Sequence, residues 1–140
     1  MLKKSITYVD YNGDTRTEDF YFNLSEVELT KMEFATNGGL ENSINKIIET
    51  KDVDSMLNMV ERLILASYGE KSEDGRRFNK SSEISEYFKQ TEAYNKLFME
   101  LIRDENSARN FVRGILPAEI AQRVEEQEAQ AKKEALSKVV

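Results

Sequence analysis

Leu2, Ile6 and Tyr8 alternate with polar residues along the first nine positions, and Phe20 and Phe22 do the same between Arg16 and Asn23. Period-two alternation predicts two strands, each with one buried face. Between them lies Asp10-Tyr11-Asn12-Gly13-Asp14, which admits two turns. A two-residue Asn-Gly turn would pair Tyr11 with Asp14 and set Ile6 and Tyr8 opposite Asp19 and Thr17, with Phe20 and Phe22 on the other face. A type I turn from Asp10 to Gly13, closed by a glycine bulge, gathers Leu2, Ile6, Tyr8, Phe20 and Phe22 on one face. Register follows burial, so the second turn is expected. A two-stranded ribbon is marginal alone, so that face requires a cover of helices or of another subunit.

From Ser25 onward the period lengthens. Ser25 with Glu28 is a capping box, opening a helix through about Phe34 that carries Val27, Leu29 and Met32 and stops at Asn37-Gly38-Gly39. Leu40, Ile44, Ile47 and Ile48 predict a short helix over 40–50. Val53, Met56, Leu57, Val60, Leu63, Ile64 and Ser67 form the most regular helical stripe, capped by Asp52, and the centre of the core is expected there. Residues 68–81 interrupt the pattern as a polar loop. Ser81 or Ser82 caps the next helix, which brings Ile84, Tyr87 and Phe88 together. Thr91 caps another, with Tyr94, Leu97, Phe98, Leu101 and Ile102 inward. A short helix around 106–113 adds Phe111 and Val112, and Ile115-Leu116 close the core before Pro117.

After Pro117 the chain is Glu, Gln, Ala and Lys, with Ile120, Val124 and Leu136 as its large apolar residues to position 136. That composition favours a helix but gives it little to bury. The expected architecture is α+β and mostly α-helical. An N-terminal β-hairpin (2–23) precedes a compact helical bundle (26–116) in a single domain over 1–117. A charged C-terminal helical tail over 118–140, ordered on assembly, completes it.

Composition narrows the function. The net charge of −6 argues against general nucleic-acid binding, which needs an excess of Lys and Arg on the phosphates. No apolar run approaches the ~20 residues of a membrane span, and Met1-Leu2-Lys3-Lys4 is followed by no apolar leader segment. The 140 residues include neither Cys nor His, which removes disulfides, thiolates, most zinc sites and the usual general base near neutral pH. A reducing cytoplasm fits. With no catalytic, cofactor-binding or metal-binding residues expected, this inventory points to a protein that binds rather than catalyses.

The individual motifs agree. Gly69-Glu70-Lys71-Ser72 carries one glycine before its lysine and follows a helical run, unlike a phosphate-binding loop. Read as a calcium loop from Asp52, the sixth position is Leu57 where glycine is required. Glu100 and Asp104 stand at i,i+4 as a carboxylate pair, an arrangement common on solvated helices. The 68–81 loop mixes Glu70, Glu73 and Asp74 with Lys71, Arg76, Arg77 and Lys80. It reads equally as a solvated connection turning at Asp74-Gly75, anchored by Tyr68 and Phe78, and as a recognition loop. Tyr87, Phe88, Tyr94, Phe98 and Phe111 read first as core, with the tyrosines better suited to a groove rim.

The order Tyr68-Gly69-Glu70-Lys71-Ser72-Glu73-Asp74-Gly75-Arg76-Arg77-Phe78, then Thr91-Glu92-Ala93-Tyr94-Asn95-Lys96-Leu97-Phe98-Met99-Glu100-Leu101, then Gly114-Ile115-Leu116-Pro117, resembles the tail assembly chaperones of long-tailed bacteriophages and prophages. The resemblance implies a non-enzymatic chaperone that binds the tape-measure protein and keeps it soluble while the tail forms. It implies self-association, no nucleic acid, no membrane and no cofactor. It also implies a longer frameshifted form that could reach the tail-tube protein. Location would be the cytoplasm of the infected or lysogenic host, outside the mature virion. Candidate partner contacts are Tyr68, Lys71, Arg76, Phe78, Tyr94 and the tail. The competing reading is a structural tail or connector subunit retained in the virion.

Overall fold

The computed structural model describes residues 1–35 and 52–122 together with positions 130, 133 and 134. The expected helix over 40–50 and most of the expected tail lie outside the described residues. Strands β1 (Leu2–Val9) and β2 (Thr15–Phe22) pair antiparallel, with Leu2 opposite Phe22 and Val9 opposite Thr15. The Gly13 N–H donates to the Asp10 carbonyl at 3.0 Å and the Asp10 N–H to the Asp14 carbonyl at 2.8 Å. Gly13 has φ +87°, so the turn is the type I turn with a glycine bulge that burial demanded. Leu2, Ile6, Phe20 and Phe22 accordingly share the packed face.

Helix α1 (Glu26–Ala35) opens on the expected capping box: the Ser25 N–H donates to the Glu28 carboxylate at 3.0 Å and the Glu28 N–H to the Ser25 hydroxyl at 3.1 Å. Helix α2 (Val53–Ser67) starts at Asp52, which accepts from the Ser55 N–H. Two strands follow where a polar loop was expected: β3 (Tyr68–Lys71) and β4 (Phe78–Asn79). They complete a four-stranded antiparallel sheet in the order β1-β2-β3-β4. The hairpin is thus half of a sheet, and the helical bundle packs on its inner face. The reason is pairing at a distance: Gly69 and Tyr68 take up the free edge of β2 opposite Tyr21 and Phe22.

Helices α3 (Ser82–Lys89), α4 (Glu92–Arg103) and α5 (Glu105–Ile115) carry the caps Ser81, Thr91 and Asp104. Phe22, Ile64, Phe88, Leu97 and Ile115 are at most 1% exposed, so the core centres on the sheet–helix interface. Its aromatic heart stacks Tyr68 on Phe88 with ring centroids 4.0 Å apart, and sets Phe22 edge-on to Phe111 at 5.2 Å. The α2 stripe contributes mainly through its C-terminal half, since Val53 and Met56 are exposed. Val27 and Tyr87 are exposed as well, so the expected clustering of Tyr87 with Ile84 and Phe88 does not form. Neighbouring helical positions lie about 100° apart, and Phe88 takes the inward one. Residues 118–122 are helical, and Ile120 and Ala121 pack against the core.

Candidate functional site

The segment that joins β3 to β4 closes on itself. The Ser72 N–H donates to the Arg77 carbonyl at 2.9 Å, and the Gly75 N–H to the Ser72 carbonyl at 3.0 Å. Gly75 has φ +74°, a conformation glycine adopts without penalty. The Asp74 carboxylate accepts from the Ser72 hydroxyl at 2.7 Å and the Arg76 N–H at 3.1 Å, and these bonds hold its carboxyl below the usual range. The hairpin tip is therefore built, and it presents Arg76 and Arg77 to solvent.

Strand alternation sorts the candidate contacts. Tyr21 stands opposite Gly69, and Lys71 opposite Phe78, so these side chains share the outer face of the sheet. The Lys71 ammonium lies 5.3 Å from the centre of the Tyr21 ring. Phe78 lies over Gly69 so closely that a Cβ there would sit 2.7 Å from its ring. The rest of this face, Lys3, Ser5, Thr7, Val9, Thr15, Thr17 and Asp19, is exposed. Lys71, Arg76 and Phe78 thus belong to one hairpin, with Tyr21, which sequence reasoning missed although its place between Phe20 and Phe22 put it on this face.

Tyr68 and Tyr94 sit apart from that strip, 8% and 7% exposed on the inner side. Burial pushes both phenols up to about 12. Neighbouring Glu70, Tyr87, Glu18 and Tyr8 add to the effect on Tyr68, and Glu61 to that on Tyr94.

Lys80, at the end of the hairpin, is a second residue the sequence did not single out. Its ammonium donates to the carbonyls of Asn23 and Ala66 at 2.6 and 2.9 Å and to the Glu28 carboxylate at 2.7 Å. It ties the exit of β2, the end of α2 and the capping box of α1 to the hairpin. Burial pushes the Glu28 carboxyl up, but the hydrogen bonds from Lys80 and Ser25 outweigh it and the net direction is down.

The carboxylate pair considered from sequence is occupied. Glu100 accepts from Lys4 at 3.0 Å, and Asp104 caps α5 through the Asn106 N–H and the Ser107 hydroxyl, each at 3.0 Å. The Ser107 and Asn106 bonds lower the Asp104 carboxyl, the wrong direction for a general acid. Among the described residues, no group of three or more acidic residues could hold a metal ion, and no helix is long and apolar enough to cross a membrane.

Compared with known families, residues 1–138 match the family model described as phage tail assembly chaperone. No curated protein and no solved structure matches the chain.

Proposed function

The chain belongs to the family of phage tail assembly chaperones, and from that membership we propose that it binds the tape-measure protein and keeps it soluble during tail assembly. The family match across residues 1–138 carries the reading. Members of such a family work by binding, in keeping with a chain that has neither Cys nor His. A long helical client is held by many weak, exchangeable contacts, because repetition along the client supplies avidity that no single site needs. A net charge of −6 on each copy limits clumping of coated clients.

The β3–β4 hairpin is the surface assigned to client contact, with Lys71, Arg76 and Phe78 touching the partner and Tyr21 extending the strip. Tyr68 and Tyr94, the other candidate contacts, lie buried on the inner side of the sheet. The copies associate with one another on the client, within the host cytoplasm, and leave before the virion matures. Co-expression with the tape-measure protein, followed by pull-down and sizing, tests this. Soluble complexes holding many copies of the chain are expected. A client that stays insoluble beside folded chain, with the chain retained in purified virions, would instead mark a structural tail subunit.

A further inference from the structure

Strand β1 is an edge of the sheet, and α4 runs beside it in the opposite direction. Lys96 donates to the Thr7 carbonyl, and Lys4 donates to the Glu100 carboxylate at 3.0 Å. An open groove of about 600 Å³ lies between the two elements, lined by Thr7 and Val9 on the strand and by Lys96, Met99 and Arg103 on the helix. The Asp10–Asp14 bond makes the even-numbered residues of β1 the hydrogen-bonded partners of β2. The N–H and C=O groups of Lys3, Ser5, Thr7 and Val9 therefore point outward from the edge.

The flank of α4 on this groove carries Glu92, Lys96, Glu100 and Arg103, three or four residues apart on one side of the helix. Their signs alternate, yet they do not pair along the helix. Lys96 goes to Thr7 and Glu100 to Lys4. Glu92 accepts from the Asn95 amide at 3.2 Å and, like the exposed Arg103, forms no ion pair among the described residues. The row is its own complement when turned end for end: Glu92 then meets Arg103, Lys96 meets Glu100, and both encounters centre near Phe98. On β1 the same point falls midway between Thr7 and Lys4, at Ser5 and Ile6, because those residues touch Lys96 and Glu100. One two-fold axis serves the strand edge and the helix flank together.

We propose that two copies of the chain join β1 to β1 and α4 to α4 about this axis, so that their sheets continue edge to edge. With the axis at Ile6, Ser5 lies opposite Thr7 of the second copy and Lys3 opposite its Val9. All four present outward N–H and C=O groups, as antiparallel pairing requires. The occupant is a second copy because the charges flanking the edge complement themselves, and a self-complementary contact closes at the dimer. Backbone bonds along the edge supply the affinity, and the charges fix the register. Lys96 gives up the Thr7 carbonyl for Glu100 of the second copy. An exposed ion pair contributes little, so Lys96 acts chiefly as a plug on the free edge and the dimer is weak and reversible. The contact deepens the self-association proposed above and rests on that reading for its role on the client.

Sedimentation equilibrium of the full chain, without any client, tests the contact, and a monomer–dimer equilibrium is expected. Arg103→Glu and Glu92→Arg should each weaken it by about tenfold or more, since each sets like charges face to face twice. Mixed in equal amounts, the two variants should recover the dimer, because both encounters then join opposite charges. Ser5→Pro removes an outward N–H from an edge strand, where proline is tolerated, and should weaken dimerisation in a folded chain. The charge variants give a second readout if that one folds poorly. Arg62→Glu on α2 should change nothing. A chain that stays monomeric at about 1 mM overturns the dimer. Single variants that dimerise like the unaltered chain, a mixture that does not recover, or growth beyond the dimer overturn the axis. Client capture lost in Ser5→Pro, with the free chain monomeric, would give the edge to the client and overturn the second copy as its occupant. A client that stays insoluble leaves these measurements untouched, so the two readings fail separately.

Discussion

Lys80→Met tests whether the ammonium clamp holds the fold together. Methionine keeps most of the apolar stem and removes only the charged head. The variant strands the Asn23 and Ala66 carbonyls, at 2.6 and 2.9 Å, and the Glu28 carboxylate, at 2.7 Å. Hydrogen bonds to a charged group contribute about 1.5–3 kcal/mol each, and they do not add. The Lys80 side chain is 21% exposed, so water replaces part of what is lost. A net loss of about 2–4 kcal/mol follows, below the full cost of breaking a wholly buried pair. In urea, the midpoint should fall by about 1–2 M at unchanged slope. The melting temperature should fall by about 8–15 °C. A cycle with Glu28→Gln, which still caps α1, should show coupling of about 1 kcal/mol or more. A loss under about 0.5 kcal/mol, or additive single variants, would refute the clamp.

Acid should destabilise the fold through its caps. Asp10, Asp52, Asp74, Asp104 and Glu28 all have lowered carboxyl pKa values. The stability they contribute is fully present above their unfolded values near pH 4 and disappears as pH falls through the folded ones. Urea midpoints measured from pH 6 to pH 2 should drop, and Asp10→Asn should flatten the slope. At the alkaline end, Tyr8, Tyr68 and Tyr94 are pushed up to about 12, by the Glu18 hydrogen bond for Tyr8 and by burial for the other two. Absorbance titration should show these phenols ionising late, with stability declining from about pH 10 upward as the unfolded chain releases protons first. Six tyrosines titrating together near pH 10 would contradict the packing. Gly69→Val should cost about 1–3 kcal/mol, because its Cβ would meet the Phe78 ring at 2.7 Å and the Asn79 carbonyl at 3.0 Å. Thermal melts read that loss directly.

Local chemistry was legible in the sequence where the partners lie three or four residues apart. Ser25 with Glu28, Asp52 with Ser55, Ser81 with Ile84 and Thr91 with Tyr94 all bond as their spacing implies. The register of β1 on β2 was legible for a different reason: a one-residue slip would have turned Phe20 and Phe22 away from the core. Strands β3 and β4 were hidden because four and two residues carry too little alternation, and their identity comes from the edge of β2. The same long-range pairing decides the candidate surface. It brings Lys71 to Tyr21 and turns Tyr68 to the opposite face, a division no spacing within residues 68–78 could reveal.

Strand β1 stands at one edge of the sheet. The Asp10–Asp14 bond makes the even-numbered residues of β1 the hydrogen-bonded partners of β2. The N–H and C=O groups of Lys3, Ser5 and Thr7 therefore point outward along an edge. The Thr7 and Thr17 hydroxyls lie 2.8 Å apart, as expected of a closely spaced, non-bonded pair. An open edge is a template for another strand, and proteins blunt it with lysine. Lys96 of α4 does so here, donating its ammonium to the Thr7 carbonyl. Lys96→Ala should leave the helix intact, since alanine is the better helix former, but free that acceptor. Sedimentation velocity across rising concentration should then show more association than in the unaltered chain. Wild-type behaviour in the variant would mean that Lys96 does not guard the edge.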